Sequence, residues 1–328
     1  MRPPAWLGRA VRTGFLALAL LLLVLALRDN GSEALAAVRD VGIASALASL
    51  AAALLGLLAS AMVWRALLAD LGTSLPLRPA LHVFFLGQLG KYVPGSVFAI
   101  AAQMELGRSQ GAPRSRVGTA SLLFMGVLVA AGLLTAALAL PLTSPDALRD
   151  FAWVLLVLPL ALLVLHPPVL SRLVDLLLRV LRRDPLERPL SRRGVGAATG
   201  WALVMWAAYG VHLWLLVRPQ DTQGRADLLL LSLGAYALAW TAGFLFVVAP
   251  AGAGVREVAL VAGLAPVLDR PAALAVAVLS RVLMTLGDLL WGAAGAGLTP
   301  RSRKQPGPGG AVVTTVIPVQ QLGKAADD

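Results

Sequence analysis

Six ionisable side chains sit where an apolar chain has least use for them. Lys91 and Glu105 flank the break Lys91-Tyr92-Val93-Pro94-Gly95-Ser96. Arg256 and Glu257 follow the break Ala249-Pro250-Ala251-Gly252-Ala253-Gly254, and Arg281 and Asp288 interrupt the last long apolar run. A charge near a bilayer centre is costly, so each is a candidate for binding chemistry. A guanidinium offers phosphate a planar, bidentate fork. Arg256 would sit in the first turn of a helix opened by Gly252 and Gly254, beside free N–H groups and the positive dipole end, and Glu257 suits the same turn. Two readings of Arg256 stand. It holds an anionic headgroup, or it pairs with Glu257, Glu105 or Asp288 and only fastens the break. Lys91, Tyr92, Gln103 and Glu105 take the matching part at the first break, where Lys91 could instead reach the interface. Arg281 and Asp288, two helical turns apart, share a face, and a network with the other charges is expected.

Other chemistry finds little support. The chain has no cysteine, which removes disulfides, thiolates and Cys metal sites. His82, His166 and His212 lack metal-ligand spacing, and His82 and His212 read as hydrogen-bonded core residues. No Ser/His/Asp arrangement or phosphate loop occurs, and Gly252-Ala253-Gly254 lacks the strand–helix context of a dinucleotide site. No cofactor or metal is expected.

The elements that must position these side chains are membrane helices. The 328 residues are 58% hydrophobic and 14% charged, with mean hydropathy +0.80, a composition of integral membrane proteins. Uninterrupted apolar runs cover Val11–Leu27, Val41–Trp64, Val117–Leu140, Phe151–Leu165, Val195–Val217 and Ala272–Leu298. A spanning helix needs about 20 residues. The first run follows Arg2, Arg9 and Arg12 without a cleavage site after Leu27, so it reads as a retained anchor. Tryptophans such as Trp64, Trp153 and Trp291 read as interface anchors.

If both broken segments enter and return on one side, the chain divides into two like halves: two spans, a hairpin, one span, twice. An odd number of spans inverts the second half, the inverted-repeat plan of many transporters. The fold expected is therefore an all-α membrane protein with six transmembrane helices plus two re-entrant broken-helix hairpins in an inverted repeat. The alternative is that Leu228–Val248 is an ordinary span. Half one covers 1–140 and half two 150–300 of a membrane domain 1–300.

Most of the 28 Lys and Arg residues then fall on the side of the N-terminus, in the segments around Arg78, Arg108–Arg116, Arg172–Arg193 and Arg301–Lys304. The positive-inside rule puts both termini in the cytoplasm of a multi-pass plasma-membrane protein. The net charge of +11 serves this topology and anionic headgroups rather than nucleic acid. The linker 169–194 carries Arg172, Asp175, Arg179 and Arg182 at helical spacing, as an interfacial amphipathic helix does. The Pro/Gly-rich tail 301–328 reads as disordered.

The segment Ala249-Pro250-Ala251-Gly252-Ala253-Gly254-Val255-Arg256-Glu257, with Arg281 downstream, resembles the signature of the transmembrane region of lysylphosphatidylglycerol synthases, flippase-like membrane proteins. Lys91-Tyr92-Val93-Pro94-Gly95-Ser96 with Gln103-Met104-Glu105-Leu106-Gly107-Arg108 resembles the family's first hairpin, with Gln103 and Glu105 where the commoner pattern has an arginine. In bifunctional members a soluble domain makes aminoacylated phospholipid and the membrane region moves it. No synthase domain follows the last span of this chain, so the resemblance implies translocation of an anionic or aminoacylated phospholipid or a polyprenyl-linked lipid, without enzyme activity. Lys91, Tyr92, Pro94, Gly95, Gln103, Glu105, Pro250, Gly252, Gly254, Arg256, Glu257, Arg281 and Asp288 are then the expected headgroup site. An envelope glycosyltransferase or lipid synthase is a candidate partner. A membrane transferase with Glu105 or Glu257 as base, and a scaffold for an envelope enzyme, are the competing readings.

Overall fold

The computed structural model describes residues 39–92, 97–143, 149, 156–245 and 254–298. The expected span Val11–Leu27, the start of Phe151–Leu165, the tail 301–328, and Pro94, Gly95, Pro250 and Gly252 at the hairpin tips lie outside them.

Every described element is helical. In the first half these are α1 (Ile43–Asp70), α2 (Leu77–Gln88), a 3₁₀ turn (Leu89–Tyr92), α3 (Val97–Ser109) and α4 (Arg114–Ala139). The second half has α5 (Val157–Val164), α6 (Pro167–Val180), α7 (Arg192–Val217), α8 (Leu228–Leu245), α9 (Val255–Leu264) and α10 (Arg270–Gly297). α1, α4, α7, α8 and α10 are long and apolar enough to cross a membrane, and the pair α5–α6, bent by 80°, would make a sixth crossing. The protein is an all-α membrane protein.

The first hairpin is closed by glycines. α2 and α3 have 12 and 13 residues, too few to span alone. A β-carbon on Gly87 would collide with Gln103, and one on Gly90 would lie 2.7 Å from the Ala99 backbone. These missing side chains let the limbs touch along their length. The second hairpin is unequal. α8 has 18 residues and α9 has 10, so α8 has a span's length although the chain turns back after it. Gly263 packs on Ala235, and Arg225 Nη1 donates to Pro266 O at 3.4 Å, which puts both outer ends on one face. In the turn before α8, the Arg225 guanidinium holds the Asp227 carboxyl below the usual carboxylate range.

The halves are related by inversion. α1 and α7 run antiparallel: Ser49 Oγ lies 2.7 Å from His212 Nδ1, Gly56 faces Tyr209, and Asp70 Oδ2 accepts from Ser191 N at 2.9 Å. α10 packs on α2 and α4 packs on α8; α3 packs on α4 and α9 on α10. Exchanging the halves leaves this pattern unchanged. Each crossing helix also approaches the other half through a glycine, Gly287 against Leu57 and Gly132 against Trp206.

Helix starts differ from the apolar runs because caps set them. α7 begins at Arg192, with Ser191 Oγ accepting from Gly194 N; α10 begins at Arg270, with Asp269 Oδ1 accepting from Ala272 N. Apolar counting discards these charged first turns, although side-chain caps satisfy their free donors. The sharp break before α6 falls at His166-Pro167-Pro168, where proline excludes helical backbone for the preceding residue. α6 buries Leu170, Val174 and Leu178 and leaves Leu173, Leu176 and Val180 exposed beside Arg172 and Arg179. Trp64 is not an interface anchor, and Trp153 lies outside the described residues. Trp64 is fully buried and donates to Ser121 Oγ, while Trp291 stacks on Phe85 and donates to Leu54 O. His82 and His212 are hydrogen-bonded core residues, against Gly295 O and against Ser49 and Ser280.

Candidate functional site

α10 brings the two broken segments together. Its Asp288, 6% exposed, carries two partners from the first hairpin: Lys91 Nζ at 2.6 Å and Tyr92 Oη, which donates to Asp288 Oδ2 at 2.6 Å. Two turns earlier, Arg281 binds Glu257 of α9. Glu257 also accepts from Gly254 N at 2.7 Å, reaching back from the third position of its helix to the capping residue. Gly254 has φ 86°, which glycine adopts without a Cβ penalty. One carboxylate thus fastens both the start of α9 and its seat on α10.

Arg256 is held differently. Its guanidinium donates to Tyr236 Oη and stands over the Tyr236 ring at 4.8 Å. No carboxylate pairs with it among the described residues. The cluster has three cations, Lys91, Arg256 and Arg281, against the carboxylates Glu257 and Asp288, leaving one positive charge uncompensated. Tyrosine positions the guanidinium through hydrogen bonding and cation–π attraction without neutralising it.

Lys91, Tyr92, Arg256, Arg281 and Asp288 form the floor of a cavity of about 1540 Å³ among the described residues. Its walls include Leu122, Met125, Trp240 and Phe244, and its mouth Arg114, Arg116, Arg183 and Arg188. The cavity therefore opens on the arginine-rich face, where α1 ends and α4 and α7 begin. Its volume exceeds the usual 300–1,000 Å³ or so of small-ligand pockets, and its mixed lining suits an amphipathic molecule.

The profile of the family described as lysylphosphatidylglycerol synthase TM region matches residues 13–292. The chain belongs to this family. No curated protein sequence matches it. Membership places it among membrane proteins of lipid-related function.

In this member of the lysylphosphatidylglycerol synthase TM-region family, the expected site residues separate into groups. Lys91, Tyr92, Arg256, Glu257, Arg281 and Asp288 converge, with Gly254 at the turn. Gln103 and Glu105 do not join them. Gln103 is buried between the limbs of the first hairpin and accepts from Ser121 Oγ at 2.6 Å. Glu105 is half exposed near the cavity mouth, held by Arg108 at 2.7 Å and by Arg114; bonds from these two arginines lower its pKa. Pro94, Gly95, Pro250 and Gly252 lie outside the described residues.

Sequence reasoning named Tyr92 and missed Tyr209 and Tyr236. The chain has three, and all three are here: Tyr92 on Asp288, Tyr236 on Arg256, and Tyr209 with its ring 5.4 Å from that of Tyr236. Their scarcity was the signal. A phenol inside an apolar run needs a hydrogen-bond partner, and the nearest unmatched charge was Arg256.

Proposed function

We propose that this protein moves a lipid with an anionic headgroup between the leaflets of the plasma membrane, with the phosphate held at Arg256. One observation carries this reading: a half-buried guanidinium with no carboxylate partner among the described residues, on the floor of a large amphipathic cavity. The uncompensated charge suits one phosphate anion. Arg256 offers it donors that Tyr236 does not use, while Lys91 and Arg281 stay tethered to Asp288 and Glu257. The apolar walls suit the lipid's neighbouring carbons. Glu257 and Asp288 could meet an amine on an aminoacylated headgroup once their own cations shift. Access alternates as the inverted halves rock about the α1–α7 pair.

The arginine-rich face is the cytoplasmic one by the positive-inside rule, so the arrangement described here is open inward. The lipid is an anionic or aminoacylated phospholipid or a polyprenyl-linked lipid. An envelope glycosyltransferase or lipid synthase is the kind of partner that would supply or consume it. The protein itself acts as a transporter, not as the enzyme.

Mass spectrometry of lipids retained by the detergent-purified protein tests the reading. One lipid class enriched over the membrane average in wild type, and lost in Arg256→Ala, is the expected result. An unselective profile unchanged by the substitution would make Arg256 structural and reject the proposal.

A further inference from the structure

The mouth of the cavity holds two guanidinium groups with too little negative charge between them. Gly72 closes α1 at φ 86°. Gly72 N donates to Ala69 O at 2.9 Å and Thr73 N to Leu68 O at 3.0 Å, the Schellman pattern. The space that a side chain on Gly72 would fill is taken by Arg188 Nη2, with Arg116 Nη1 beside it; the two nitrogens lie no more than about 6 Å apart. Arg116 comes from the first turn of α4, Arg188 from the linker, and both line the cavity.

Their partners are few. Arg116 Nη2 donates to Glu187 Oε2 at 2.6 Å, and Nη1 has longer contacts to Gly72 O and Thr73 Oγ1 at 3.2 and 3.4 Å. Arg116 Nε is buried and has no acceptor. Arg188 has no hydrogen-bond or ion-pair partner among the described residues. Of the other carboxylates lining the cavity here, Glu105 is occupied by Arg108 and Arg114, and Asp184 pairs with neither Arg116 nor Arg188 among the described residues. Like charges this close repel, weakly where water screens them, and an anion bridging them removes the repulsion; two guanidinium forks match the oxygens of one phosphate.

We infer that Arg116 and Arg188 form a phosphate-binding site at the mouth of the cavity, separate from the Arg256 site on its floor. The phosphate belongs to an anionic lipid headgroup of the adjacent leaflet or to a soluble phosphate. In the transport reading it is a first station, reached before the floor; that role rests on the proposed function, whereas the site does not.

The test titrates the full-length purified protein with dioctanoyl phosphatidylglycerol and, separately, with inorganic phosphate, by calorimetry. Wild type is compared with Arg188→Gln, Arg116→Gln/Arg188→Gln and Arg256→Gln. Arg188→Gln removes no partner of any other residue, so its thermal midpoint should match wild type. The expected result is two classes of lipid site. Arg188→Gln weakens one by about tenfold or more, as loss of a charged hydrogen bond does, and Arg256→Gln leaves that class intact. Binding of phosphatidylglycerol alone assigns the mouth to a headgroup; equal binding of inorganic phosphate assigns it to a soluble anion, and either upholds the site. Wild-type binding of both probes by the two mouth variants would overturn it. Loss confined to Arg256→Gln rejects the mouth site and leaves the transport reading standing, and loss confined to the mouth variants does the reverse.

Discussion

Asp288 is the carboxylate on which the first hairpin converges, since Lys91 and Tyr92 both end on its Oδ2. Removing it leaves an ammonium and a phenol without their partner. Asp288→Asn should destabilise the protein by about 1.5–3 kcal/mol, the range for hydrogen bonds to charged groups, because Lys91, 35% exposed, regains water, and Lys91→Met should cost at least as much because it leaves the Asp288 carboxylate, 6% exposed, without its cation. The double variant should recover part of the loss. Thermal midpoints in one detergent check this, and strictly additive losses would mean that the pair does not interact. The sequence exposed these groups because a charge in an apolar run stands out. It did not reveal their pairing, because Arg256 had three carboxylates within plausible reach and took a neutral tyrosine instead. Gln103 and Glu105 were grouped with the cluster through proximity in sequence to the first break. Both lie about two turns along α3, where Gln103 faces the interior of the hairpin and Glu105 the arginines at its outer end.

At the scale of elements, the first hairpin depends on close backbone approach. At Gly90 a side chain would meet backbone atoms of Phe98 and Ala99, which cannot yield as a flexible side chain can. Gly90→Leu should lower stability by about 1–3 kcal/mol or more, the usual cost of overpacking. Gly200→Ala, on α7 with open space around it, should change stability by no more than about 1 kcal/mol and in the favourable direction. Equal melting of the two variants would reject the hairpin packing. The Pro/Gly break made the hairpin legible, but the unequal limbs of the second were not: α8 is apolar throughout, so its pattern fits a span and a limb equally well. The 80° bend between α5 and α6 follows from His166-Pro167-Pro168 and was hidden because length counting ignores where proline falls.

At the scale of the molecule, the inverted plan was legible from the order of spans and breaks, because orientation follows from counting crossings. The charge asymmetry was not. α10 meets the first hairpin through Asp288, whereas α4 meets the second through Gly132 and Thr241, so the two halves share a frame but not a lining. A cavity open on the arginine-rich face makes a topological prediction. The chain has no native cysteine, so Thr285→Cys supplies a single reporter on the cavity lining. A membrane-impermeant maleimide should label it from the cytoplasmic side at least severalfold faster than from outside, and an anionic short-chain lipid should slow that labelling. Equal rates from both sides would reject the inward-open arrangement.

The most direct test of the central claim is leaflet exchange in proteoliposomes. Fluorescent phosphatidylglycerol is quenched from outside, and the protected fraction is followed in time for wild type, Arg256→Gln and protein-free vesicles. The account predicts exchange well above the protein-free rate in wild type and about tenfold or more slower in Arg256→Gln, the factor that corresponds to losing one charged hydrogen bond. Exchange by Arg256→Gln at the wild-type rate would contradict it.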